Sequence, residues 1–263
     1  MTDRELAAAA ARAAAAVALE RRGDAGLVTA KDAPTDVVSE VDRAAEAAAV
    51  AVIAAERPAD GYLGEEGASR PAGGLHAPGE GAAGGRTWVI DALDGTLNYL
   101  QGLHGWCAAV ALEDEQGPLA AAVCDPVRNE LFTAARGEGA TLNGAPLRVA
   151  GPAGGTPAAL DRAVIATFLH QPKRELPGVQ DTMQRLLAAA GSVRITGSGT
   201  LELAYVAAGR LHGWIQPAAY RWDWVPGALL VTEAGGRAER TPTNPEWCIA
   251  AAPGLFEALR DLP

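Results

Sequence analysis

"WVIDALDGTLNYL", residues 88–100, starts as a buried strand and changes character half-way. Trp88, Val89 and Ile90 call for cover, yet Asp91 and Asp94 follow at once, with Gly95 and Thr96 behind them and apolar residues resuming at Leu97. A strand ending near Asp91 and a helix starting just after Thr96 would put two carboxylates, a hydroxyl and free backbone N–H groups in one turn. Helix N-termini attract anions, phosphate in particular. Carboxylates beside a phosphate repel it unless hard cations sit between them. Asp91 and Asp94 therefore make sense as oxygen ligands for Mg²⁺, which takes carboxylates together with substrate phosphate. For this segment alone, capping and turn aspartates are the plainer alternative.

Working outward, the totals narrow the class. The chain has 263 residues, enough for one large domain or two intimately packed lobes. Hydrophobic residues make up 49% and charged ones 21%, an ordinary globular composition. A formal charge of −10 argues against a nucleic-acid backbone as the main partner and agrees with clustered carboxylate ligands. Cys107, Cys124 and Cys248 lack the spacing of a zinc site or a disulfide framework, so a reducing cytoplasm is expected. The Ala-rich start reads as an amphipathic helix rather than a targeting segment, and no stretch has the length and apolarity of a membrane span.

Two Ala-rich helices are expected at 3–22 and 39–56, the second opening on Ser39 with Asp42 three places on, close to a capping box. Residues 67–87 are rich in Gly and Pro and read as a long loop, mobile without metal. Apolar runs at 105–113, 118–125 and 129–135 read as sheet strands, and Asn143-Gly144 is a hairpin signal. Beyond the soft stretch 150–159 the pattern alternates: strand 162–167, helix 178–190, strand 193–196, helix 200–208, strand 211–215, and a helix from Asp223 closed by Gly235-Gly236. The expected organisation is an N-terminal α+β lobe, 1–150, carrying most metal ligands, and a C-terminal α/β lobe, 151–263, completing the site.

Other carboxylates can join the first pair. "GYLGEEGAS" offers Glu65 and Glu66, "KDAPTDVVSEVD" offers Lys31, Asp36 and Asp42, and "WDWVPGALLVTEAGG" offers Asp223 at a helix start. The central motif also has the look of a haloacid-dehalogenase nucleophile loop, but the position of the attacking aspartate holds Ala92, which cannot attack phosphorus.

Taken together these segments resemble the inositol monophosphatase family, whose pattern runs D-x-V-[ST]-x-x-D, G-E-E, W-x-I-D-P-[IL]-D-G-T-x-N-[FY], then W-D-x-A-x-G and E-A-G-G. The matches are residues 36–42, 64–66, 88–99 and 222–236, in order and across nearly the whole chain. The resemblance implies a layered αβαβα sandwich of the inositol monophosphatase and fructose-1,6-bisphosphatase type, a homodimer, and two or three Mg²⁺ ions per site. By position, it implies that Glu65, Asp91 and the Leu93 carbonyl hold one metal, and Asp91, Asp94 and Asp223 a second. Glu65 and Thr96 would orient the attacking water, Asp91 would be catalytic with them, and the Gly95 and Thr96 amides would hold phosphate. Lys31, Asp36, Asp42 and Glu66 would stand behind the ligands, and Gly197, Gly199 and Gln216 would lie against the substrate.

The implied activity is hydrolysis of a small phosphorylated metabolite, most of all inositol monophosphate, with no membrane or nucleic acid involved. Gln216 stands where family members acting on inositol phosphate often carry an acid, which loosens the polyol preference. Ala92 replaces the usual proline, and Pro226 is expected in a first helical turn. Histidinol phosphate, a sugar bisphosphate such as fructose 1,6-bisphosphate, or a 3′-phosphoadenosine nucleotide are the rival substrates. A basic cluster at the pocket would favour the bisphosphates, and the motifs contain none. A non-catalytic metal-binding regulator is the rival of another class. His76, His104, His170 and His212 fall outside every motif and read as structural.

Overall fold

Alternation of small and apolar residues along the central strands dictates the layers. The computed structural model describes residues 1–24, 26–30, 37–71, 85–149, 159–169 and 171–263. In strands β1 to β10 the chain runs Val28–Ala30, Val37–Ser39, Gly61–Gly64, Ser69–Arg70, Thr87–Asp94, Cys107–Asp114, Gly117–Asp125, Glu130–Ala135, Gly139–Leu142 and Ala145–Pro146. The last eight form one sheet in the order β10-β9-β8-β7-β6-β5-β3-β4, antiparallel except for β3 beside β5. On β6, Ala108, Val110 and Leu112 face one side and Cys107, Ala109 and Ala111 the other, and each set enters a different core. Both faces of this sheet are therefore covered.

The first cover is the helix pair α1 (Asp3–Glu20) and α2 (Glu40–Glu56). Ala7, Ala10, Ala11 and Ala14 repeat at helical spacing and are fully buried against Ala45, Ala49 and the sheet. Thr2 with Glu5, and Ser39 with Asp42, form complete capping boxes that fix both starts. The hairpin at Asn143-Gly144 has φ values of 49° and 84°, the positive pair that a two-residue turn of this hand requires.

The opposite face is covered by α5 (Gly199–Ala207) and α6 (Arg221–Glu233), which pack in turn on a second sheet. That sheet orders β12 (Ser192–Arg194), β11 (Val164–Ala166), β13 (Gly213–Pro217), β15 (Trp247–Ala251) and β14 (Arg237–Arg240). Its far side carries α4 (Val179–Ala189) and α7 (Pro253–Arg260). The result is the expected αβαβα sandwich. One core cluster runs from Cys107 and Val123 through Leu203 and Val231 to Cys248, so the two halves share their packing; the expected boundary at 150 falls outside the described residues.

Three expectations shift. Helix α6 starts at Arg221 with Tyr220 as its cap, so Asp223 is its third residue rather than its cap. Pro226 consequently lies inside the helix, where its missing N–H leaves the Trp222 carbonyl without the usual donor. The stretch 67–87 is not loop throughout, because Ser69–Arg70 pairs with β3; residues 72–84, which carry the expectation of mobility and His76, lie outside the described residues. The close of α6 is as read: Gly235, at φ +90°, and Gly236 donate to the carbonyls of Thr232 and Val231 at 3.0 and 2.9 Å. No helix among the described residues is long and apolar enough to cross a membrane.

Candidate active site

Four segments meet at one cavity of about 470 Å³. The first is the turn after β3. Glu46, on α2, accepts the N–H groups of Glu66 and Ala68 at 2.9 and 2.8 Å, clamping the turn that presents Glu65. This approach needs Gly64, since a Cβ there would lie 2.1 Å from the Glu46 carboxylate. Glu65 itself is tied to β5 by its N–H, 3.1 Å from the Ile90 carbonyl.

The second segment is the end of β5. Its pairing with β6 slips between Asp91 and Asp94, and this irregularity presents Asp91, Leu93 and Asp94 together to the cavity. The Asp91 carboxylate accepts the Leu93 N–H at 3.1 Å. Gly95, at φ +95°, turns the chain into the short helix α3 (Thr96–Leu100). A side chain at Gly95 would bring a Cβ within 2.9 Å of the Gly105 carbonyl, so only glycine fits. The Thr96 hydroxyl faces Asp42 Oδ1 at 2.7 Å and the Leu93 carbonyl at 3.1 Å. Asp42 is held by the Ser39 N–H and hydroxyl at 2.9 and 2.5 Å. With its one proton given to either acceptor, Thr96 Oγ1 offers lone pairs to the cavity.

The third segment, 195–200, comes from the C-terminal half. Ser198 donates its hydroxyl and Thr200 its N–H to Asp94 Oδ2, both at 2.8 Å. Asn98 Nδ2 is 2.7 Å from the carbonyls of both Gly105 and Thr196, stapling this segment to α3. Behind it stands Glu202, fully buried, which accepts the Thr196 N–H and hydroxyl at 2.6 and 2.7 Å and Trp214 Nε1–H at 3.1 Å. Burial pushes the Glu202 carboxyl up to about 8. The fourth segment is the start of α6, where Asp223 is hydrogen-bonded by the Tyr220 backbone.

The carboxylates resist ionising together. Asp91 is raised well above the usual carboxylate range by burial and then by the charges of Glu65, Asp94 and Asp223. Asp223 is raised by burial and by Asp94 and Glu65, with the Lys173 ammonium and the Tyr220 backbone pulling the other way. Asp94 is raised to about 6 by burial, against its bonds from Ser198 and Thr200. Such a set of hard oxygen donors suits a divalent cation of the Mg²⁺ kind, which would remove the mutual repulsion. Among the described residues, no three His, Cys, Asp or Glu side chains already stand in ligating geometry. The donor chemistry fits the metal while the carboxylates surround the cavity without converging on a point.

A model of the inositol monophosphatase family matches residues 2–258. The chain belongs to that family. It is 40% identical over 212 residues to the protein named Nus factor SuhB of Pseudomonas aeruginosa, covering 80% of this chain and 73% of that one. It is 38% identical to the inositol-1-monophosphatase of Rhizobium meliloti, covering 77% and 71%. The crystal structure of the extragenic suppressor protein suhB from Bartonella henselae superposes with a TM-score of 0.85 at 28% identity, covering 100% of this chain and 98% of that one.

Seen as a family member, the chain brings most of its expected site residues to the cavity. Glu65, Asp91, Leu93 and Asp94 line it, and so do Gly95, Thr96, Gly197 and Asp223. Asp42 reaches it through Thr96, and the Glu66 N–H is engaged by Glu46. Lys31 and Asp36 lie outside the described residues, as does His170; His212 takes the Val164 N–H at 2.9 Å, a structural role. Gln216 and Gly199 are not among the residues lining the cavity. Every residue of β13 is buried, because helices cover both faces of its sheet, and Gln216 is fully buried without lining the cavity. Neither polar atom of its amide has a hydrogen-bond partner among the described residues. Gly199 packs against Gln216 and Trp214, also behind the wall. The residues missed by sequence reading are those that hold others: Glu46, Asn98, Ser198, Thr200 and Glu202. Asn98 alone stood inside a quoted motif.

Proposed function

We propose that this protein is a Mg²⁺-dependent phosphomonoesterase acting on small phosphate esters, inositol monophosphate among them. The observation that carries the reading is the meeting of Glu65, Asp91, Asp94 and Asp223 around one cavity beside a Thr96 whose hydroxyl is committed to Asp42 or the Leu93 carbonyl. Family membership supports a phosphatase of this fold, and the family is generally magnesium-dependent.

Glu65, Asp91 and the Leu93 carbonyl would hold one ion, and Asp91, Asp94 and Asp223 another. Bound Mg²⁺ supplies the positive charge that makes water a better nucleophile and steadies the leaving oxygen. The chain does the rest. Thr96 Oγ1, its proton engaged, accepts from the attacking water, and Glu65 orients that water from the opposite side. The Gly95 and Thr96 amides hold phosphate oxygens at the start of α3. Ser198 and Thr200 fix Asp94, and the Glu46 clamp fixes Glu65, so both carboxylates are positioned before substrate arrives. A homodimer, as in the resemblance, is part of the proposal and is tested by sedimentation.

The relatives named as Nus factors support a second reading, a regulatory protein without catalysis. The retained carboxylates and the Thr96–Asp42 pair favour the enzyme. Phosphate release decides between them, measured on inositol 1-phosphate, histidinol phosphate, fructose 1,6-bisphosphate and a 3′-phosphoadenosine nucleotide, with Mg²⁺ and with EDTA. Hydrolysis that needs Mg²⁺ supports the proposal; no release from any of them overturns it, and undiminished release in EDTA overturns the metal requirement.

A further inference from the structure

Part of the cavity wall is built by residues outside every motif. Phe168, Leu169, Gln171 and Arg174, from the segment after β11, line it together with Tyr220. Arg174 sits in a short 3-10 turn, Pro172–Glu175, with its side chain exposed. Its backbone carbonyl accepts a bond from Gln180, but its guanidinium makes no hydrogen bond or ion pair with a described residue. Other arginines of this acidic chain are engaged: Arg136 with Asp114, Arg210 with Glu130, Arg221 with Glu113. The remaining charged groups of the cavity wall are Glu65, Asp91, Asp94 and Asp223, none of them within ion-pair distance of the Arg174 guanidinium. The residue expected to read hydroxyls there, Gln216, is buried behind the wall.

We propose that Arg174 is a specificity-determining residue that binds a second anionic group, phosphate or carboxylate, on the part of the ester remote from the scissile phosphate. This rests on the phosphomonoesterase reading and names its substrate class. The carboxylates with their ions would take the scissile phosphate, and a guanidinium elsewhere on the same wall matches a planar or tetrahedral oxyanion with paired N–H donors. A bare polyol offers the Arg174 guanidinium no anion to pair with. It is turned over, but a substrate with a second charge is preferred. Because Arg174 is exposed, the preference is screened by salt.

The test compares glucose 6-phosphate with glucose 1,6-bisphosphate and with 6-phosphogluconate, in wild type, Arg174→Gln and Arg174→Lys. Wild type should favour a doubly anionic substrate in kcat/KM. Arg174→Gln should lower that ratio about tenfold, Arg174→Lys should retain part of it, and added NaCl should erode it in wild type alone. Movement of the bisphosphate ratio alone assigns phosphate as the second group; movement of the phosphogluconate ratio alone assigns carboxylate. Calorimetric binding of the same three compounds in a Thr96→Ala background reads the preference without turnover. An unchanged ratio in Arg174→Gln, with phosphate still released, overturns the role of Arg174 and leaves the phosphatase standing. No release from these compounds, nor from inositol 1-phosphate and the others named above, overturns the phosphatase reading, and the calorimetric ratio then decides Arg174 by itself.

Discussion

Replacing Glu202 by Gln should change how stability depends on pH more than it changes stability at any one pH. The Glu202 carboxyl is raised from 4.5 to about 8, chiefly by burial, despite accepting three hydrogen bonds. Between those two values the folded protein holds a proton that the unfolded chain has released. Stability therefore falls as pH rises through that window, with no contribution below it and a constant penalty above it. Integrating from about pH 5 to about pH 7.5 gives a loss of about 3 kcal/mol from this group alone. An amide does not titrate, so Glu202→Gln should lack this share of the slope. Its carbonyl keeps the bonds from Thr196, while its NH₂ faces Trp214 Nε1, which costs about 1–3 kcal/mol at every pH. The two stability curves should thus converge or cross as pH rises. Urea unfolding in the presence of a chelator, at several pH values, measures both curves. Slopes parallel to within about 0.5 kcal/mol would refute the reasoning, since the buried carboxyl would then titrate alike in both states.

Asp94→Asn or Asp223→Asn should abolish phosphate release while leaving the metal-free fold at least as stable, because each removes repulsion from the carboxylate set; circular dichroism and phosphate assays together check this. Thr96→Ala keeps the ligands and backbone amides, so turnover should fall strongly with metal affinity nearly unchanged, and equal losses by kinetics and calorimetry would make Thr96 structural. Gln216→Glu should leave the substrate preference unmoved and destabilise the protein by about 1–3 kcal/mol, since it places a second acid behind the cavity wall; a raised preference for inositol phosphate in kcat/KM ratios would mean the residue reaches the substrate after all.

Much of the frame could be read directly because its signals are local. The apolar runs at 105–113 and 118–125, the capping residue Ser39, and the Asn143-Gly144 turn each decide structure within a few residues of themselves. The turn from Asp91 to Thr96 was legible for the same reason. The burial of Gln216 was not legible, because spacing from Asp223 says how far along the chain it lies, not which layer covers it. The start of α6 was missed by two residues because Asp223 works equally well as a cap and as the third helical residue. Arg174, Glu46 and Glu202 carried no signal at all: each matters through a partner distant in sequence or through a cavity that exists only after folding.

The four carboxylates are spread along the chain from Glu65 to Asp223, and Asp94 takes its bonds from Ser198 and Thr200. On the ribosome the first sheet and its two covering helices emerge well before α6 does. A nascent chain that has reached Leu100 already carries Glu65, Asp91 and Asp94 but has neither Asp223 nor the hydroxyl and amide that steady Asp94. Until α6 docks, an ion can find loose acidic ligands but no finished cage. On the proposed Mg²⁺-dependent reading, metal capture would thereby wait for α6, and a chain terminated before it would compete only weakly for the ion.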